Sequence, residues 1–140
     1  MQLKKIILTC VFVLPYFMLG QDEIWKKTKE EVTELLLGEW KTESYTFEGK
    51  EKVIDPKKTF GLLINKLNDT LKVSELSYYH KKIQIIDFNL NCKIDEMKSD
   101  YFLCIDYKYK EFYQQIIAIN SKTLILEEGP NIRTLKKIMR

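Results

Sequence analysis

The sequence predicts an all-β domain, an eight-stranded antiparallel up-and-down barrel with a short N-terminal helix. Three observations lead there. From Trp40 onward, short runs rich in Thr, Val, Ile, Tyr and Phe are separated by turn-prone clusters. Most of these separators are two to six residues long, the length of hairpin connections. No helical pattern interrupts the runs, so there is no room for parallel crossovers. The runs are 40–47, 59–66, 70–79, 83–94, 101–108, 113–120, 123–128 and 133–139. Closing such a meander removes exposed strand edges. It also makes the first and last strands neighbours, which puts Trp40 near Ile138, Met139 and Arg140. A two-sheet sandwich is the alternative arrangement.

The chain has 140 residues, enough for one domain. Apolar residues make up 45% and charged residues 31%, which are globular values. Residues 1–20 read as a signal peptide. Lys4 and Lys5 supply the positive end, and an apolar run from Ile6 to Leu19 then gives way to Gln21-Asp22-Glu23. The run is shorter than the ~20 apolar residues of a membrane-spanning helix. Cleavage is expected between Gly20 and Gln21, giving an exported protein, periplasmic or secreted, with no stable membrane insertion. An uncleaved anchor is the alternative, because Met18 sits where a small residue is preferred. Cys10, in mid-run, is poorly placed for lipidation. Loss of the two leader lysines takes the formal charge from +3 to +1. That is too near neutral for a nucleic-acid or acidic-membrane binder.

The mature domain, 21–140, opens with a predicted helix over 22–37. Asp22 and Glu23 suit its start. Ile24, Thr28, Val32, Leu35 and Leu36 form an apolar stripe, and Gly38 suits its C-cap. The barrel follows over 39–140. Cys92 and Cys104 flank the polar turn around Lys98, so export allows a cross-strand disulfide. Parity opposes it. Cys92 alternates in step with Phe88, Leu90 and Ile94, which face inward, whereas Cys104 falls out of step with Leu103, Ile105 and Tyr107. A disulfide and two free thiols both remain open.

A short helix, then Leu36-Leu37-Gly38-Glu39-Trp40 opening the first strand of an eight-stranded meander, resembles the lipocalin family. More narrowly, it is similar to the small lipocalin-like domains exported by Bacteroidetes-type bacteria. The stretch from Lys122 to Glu128 followed by Arg133 to Arg140 is similar to their closing hairpin. The resemblance covers 35–140 and rests on Gly38 and Trp40. It implies that Trp40 plugs the closed end and that a basic residue of the last strand packs across it. Arg140 is the first candidate and Lys137 the second; Arg133 lies at the wrong end of the strand.

Signatures of catalysis are missing. His80 is the one histidine and sits in a predicted turn. One histidine and two distant cysteines do not make a metal set, and no phosphate loop or nucleophile elbow is present. Asp95-Glu96 and Glu127-Glu128 are sequence neighbours that cannot converge on one substrate. The segment from Tyr107 to Tyr113 mixes aromatics and lysines, but alternation puts Tyr107 and Tyr109 on one face and the lysines on the other, as in a barrel wall. Asn68-Asp69 reads as a hairpin turn. The expectation is a non-catalytic protein without cofactor or metal. Phe88, Leu90, Leu103, Ile105, Tyr107 and Tyr109 are the candidate lining. They either surround a small hydrophobic or amphipathic ligand or fill a solid core, in which case the barrel acts through its outer surface as an envelope structural or interaction module. The sequence carries no signal for oligomeric state.

Overall fold

The structure, a computed structural model, describes residues 24–140. The predicted leader and the helix start at Asp22 and Glu23 lie outside the described residues. A single 3-10 turn, Ile24–Lys26, precedes helix α1, Lys29–Leu36. The one continuous helix expected over 22–37 is therefore broken at Thr28. Thr28 is extended there and caps α1, its hydroxyl oxygen accepting the Glu31 N–H at 3.1 Å. Glu30 and Glu31 occupy the first turn, where carboxylates are favoured, and Val32 and Leu36 are buried.

Nine strands follow: β1 Gly38–Phe47, β2 Lys50–Lys52, β3 Lys58–Leu67, β4 Thr70–Tyr79, β5 Lys82–Met97, β6 Asp100–Asp106, β7 Glu111–Ile119, β8 Thr123–Glu128 and β9 Asn131–Ile138. All eight expected runs are present. The addition is β2, a three-residue ribbon along the far half of β1. Every neighbouring pair is antiparallel, and β1 pairs with β9 to close the sheet into an eight-stranded barrel. Hairpin residues Asn68-Asp69 and Lys98-Ser99 all have positive φ, the geometry that matches the twist of flanking strands.

Helix α1 covers one end. Trp40 is fully buried there, and its Nε1 donates to the Leu36 carbonyl at 2.8 Å. Around it pack Val32, Leu62, Ile64, Ile94, Leu103 and Leu135. Tyr101 seals the rim, its hydroxyl donating to the Lys27 carbonyl at 2.6 Å.

The basic residue across Trp40 is Lys137, which corrects the expectation for Arg140. Register decides it. Lys137 is directly opposite Trp40 and shares its face. Its ammonium lies 5.1 Å from the ring centroid and donates to the Leu35 carbonyl at 3.3 Å. Gly38 opens β1 at φ +128 instead of capping the helix; a Cβ there would meet the Lys137 side chain at 2.7 Å. Arg140 lies past the last paired position and reaches the outer face. Its Nε and Nη2 donate to the two Glu39 oxygens at 2.9 and 3.0 Å, and the Tyr78 hydroxyl donates to Glu39 at 2.6 Å.

The Arg140 hydrogen bond, more than any other influence, holds the Glu39 carboxyl below its ordinary value of 4.5. A depressed folded-state pKa gives stability that is present above the ordinary value and is lost as pH falls through the folded one. Glu39→Gln should therefore flatten the acid limb of stability below about pH 4.5. Urea midpoints measured across that range for both proteins provide the check; an unchanged acid limb would remove Glu39 from the account.

Candidate functional site at the open end

The barrel interior changes character along its length. Near α1 it is apolar and packed. At the other end the same inward-facing rows carry aromatic and charged side chains. On β4 the row Leu71, Val73 continues to Glu75. On β6 the row Leu103, Ile105 continues to Tyr107. On β9 the row Lys137, Leu135 continues to Arg133. A bulge in β1 between Thr42 and Ser44 brings Tyr45 opposite Arg133.

These groups meet. The Tyr107 hydroxyl donates to Glu75. The Tyr107 ring packs edge-on against Phe112, with centroids 5.4 Å apart. Burial, and then the bond to Glu75, raise the Tyr107 pKa well above its ordinary value. Burial lowers that of Arg133, against the field of Tyr107, Glu75, Tyr45 and Glu128. A cavity of about 220 Å³ opens beside them, lined by Phe60, Leu62, Glu75, Leu76, Ile86 and Arg133. Arg133 is one of these lining residues, and its Nε and Nη2 are shut off from solvent and without a hydrogen-bond partner. The other buried side-chain atoms lacking partners among the described residues are Thr42 Oγ1, Gln114 Oε1 and Asn131 Oδ1. All three belong to inward-facing positions, since Thr42 is opposite Leu135, Gln114 is opposite Leu103, and Asn131 precedes Arg133 by two.

A wider hollow of about 470 Å³ borders Lys57, Tyr79, His80, Lys81 and Lys82 at the tip of the β4–β5 hairpin. It lies outside the barrel and gathers three lysines without an enclosing wall, so the smaller interior cavity is the better candidate.

The sequence-derived lining divides three ways. Leu103 and Ile105 are 0% and 1% exposed and belong to the packed closed end. Leu90 and Tyr107 are half-buried against that core. Phe88 and Tyr109 are 69% and 98% exposed and do not line the interior. Local breaks in alternation explain both. Val73 pairs with Leu90 and Glu75 with Asp87, so Ser74 faces two residues, Phe88 and Asn89. Asn89 takes φ 50, its N–H donates to Ser74 Oγ at 3.0 Å, and Phe88 turns outward. Strand β6 ends at Asp106, and Lys108 turns the chain at φ 72, which throws Tyr109 into solvent.

Cys92 and Cys104 are unpaired. Cys92 is opposite Ile105 and faces inward; Cys104 is opposite Lys93 and faces outward, its thiol 3.7 Å from a Glu111 oxygen. Burial pushes the Cys92 pKa up to about 12 and raises that of Cys104. Arg133 and Glu75 were missed as site residues. Sequence reasoning sets Arg133 only against Trp40, from which it is remote. The usable signal was its parity with Leu135.

The architecture has a known counterpart. A lipocalin-like protein from Bacteroides uniformis ATCC 8492, 11% identical, superimposes with a TM-score of 0.51. The match covers 74% of this chain and 99% of that one. The fold is lipocalin-like. No family model matches the chain, and no curated protein does. Within the lipocalin-like barrel, then, the end plugged by Trp40 is closed and the Arg133 end is the mouth.

Two protected thiols should be measurable directly. Iodoacetamide should leave Cys92 and Cys104 largely unmodified in the folded protein at neutral pH. Without reductant, it should add two groups to them once the chain is unfolded in urea. Finding the two joined in a peptide map would overturn the assigned faces.

Proposed function

We propose that the protein is a non-catalytic carrier or receptor that takes a small amphipathic ligand into the mouth of the barrel. The observation that carries this reading is the cavity of about 220 Å³ between Phe60, Ile86, Glu75 and Arg133. Apolar side chains there stand beside a few convergent polar groups, over a floor closed by packed side chains. The deep interior is filled, so the ligand sits high in the barrel. The leader at 1–20 supports the further reading that this binding takes place outside the cytoplasm.

A second reading has its own support. Residues 82–91 of β5 pair only with β4, and Ile83, Ile85 and Phe88 on that overhanging hairpin are exposed. Such a surface suits an interaction module.

Native mass spectrometry separates the two readings. The protein is exposed to a mixture of six- to ten-carbon alcohols, acids and phenols. A single-site adduct is expected, and Ile86→Trp, which fills the cavity, should abolish it while leaving the melting temperature unchanged. No adduct with any member would overturn the carrier reading in favour of the surface. For the leader, N-terminal sequencing of protein recovered from the exported fraction should begin at Gln21. A sequence beginning at Met1 would instead indicate a retained anchor.

A further inference from the structure

Resting on the ligand-binding reading above, we infer that Arg133 is the anchor for a carboxylate on the ligand, so that the mouth takes a small monocarboxylate whose apolar body lies against Phe60 and Ile86. The two unpartnered atoms, Nε and Nη2, are the donors along one edge of the guanidinium. Their N–H bonds run nearly parallel and match the two oxygens of a carboxylate. This chain shows the same edge in use elsewhere: Arg140 sets Nε and Nη2 on the two oxygens of Glu39 at 2.9 and 3.0 Å. At Arg133 that edge is withdrawn from solvent and no protein group meets it. A buried cation whose donors lack acceptors is unfavourable, and a partner that supplies two anionic oxygens relieves the deficit.

The neighbours narrow the class. Glu75 is close enough to act on Arg133 electrostatically, but it accepts the Tyr107 hydroxyl and does not bond to the free edge. Glu128 adds a second negative field at the same guanidinium. One charge on the ligand is thus matched by Arg133, while a second would meet repulsion from Glu75 and Glu128. Size sets the other limit. A volume of about 220 Å³ holds roughly seven waters at ~30 Å³ each and lies below the ~300–1,000 Å³ of most drug-sized sites. A short aliphatic or single-ring body fits; a long acyl chain does not. The ring of Phe60 and the side chains of Leu62 and Ile86 offer such a body its apolar contacts.

Isothermal titration of the full-length protein tests this with octanoate and 4-phenylbutyrate, their neutral counterparts octanol and 4-phenylbutanol, and the dianion suberate. Each acid should bind roughly tenfold to hundredfold more tightly than its alcohol, as a charge-assisted bidentate contact implies. Suberate should bind more weakly than octanoate. Arg133→Gln should bring the acids down to the level of the alcohols and leave the alcohols unchanged. It should fold at least as stably as the parent, since it removes an unpaired buried charge. The acid-to-alcohol ratio in the parent protein gives an answer that depends on no variant. Acids and alcohols binding alike, with Arg133→Gln without effect, would overturn the anchor and leave the binding barrel standing. Absence of binding by all five probes would overturn both.

Discussion

The hydrogen bond from the Trp40 indole to the Leu36 carbonyl joins the three parts that make this molecule one body. Helix α1 supplies the acceptor, β1 supplies the ring, and β9 supplies the lysine that lies over it. Burying an indole removes ~200 Å² from water, an upper figure of roughly 5 kcal/mol. An apolar ring alone would fill the same space. What the indole N–H adds is direction: it accepts one approach of the helix, and the carbonyls of Leu35 and Leu36 at the end of α1 are taken up by Lys137 and Trp40. The bare Cα of Gly38 then lets the lysine lie flat where a methyl group would hold it off.

With that end closed, the barrel becomes a one-sided vessel. Its strands run past the core, and the same inward rows that deliver Leu and Ile to the floor deliver Glu75, Tyr107 and Arg133 to the mouth. The polar gradient therefore follows from strand length and alternation, without any loop being devoted to it. Strand bulges adjust which side chains take part. The one in β1 brings Tyr45 to the arginine, and the one around Asn89 sends Phe88 away.

The strand count, the antiparallel order and the closing partner of β1 could all be read from the sequence, because a strand announces itself by alternation and a hairpin by its turn residues. Asn68-Asp69 is such a case. The helix was legible by its stripe but misjudged in its start, since Thr28 competes as a cap with any helix running through it. The lining was half legible. Alternation held for Leu103, Ile105 and Tyr107 and failed at Phe88 and Tyr109, where one left-handed residue changes the parity of everything beyond it. The basic residue over Trp40 is not legible in the sequence, because register, which fixes that Lys137 and not Arg140 lies opposite, is a property of two strands together. Arg133 and Glu75 stand 58 positions apart, and nothing local to either announces the other.

The pairing of β1 with β9 has a consequence for how the chain becomes this structure. Every other barrel pair except β1–β3 is a local hairpin, whereas Trp40 meets Lys137 across 97 positions. Of all the strand pairings in the barrel, this one joins the segments farthest apart in sequence, which places the final closure among slow, non-local folding steps. Until β9 has been synthesised, the indole lacks its lysine, β1 keeps an open edge, and the vessel has a seam along its whole height. Synthesis from the N-terminus thus delays closure of the barrel until β9 is available to pair with β1.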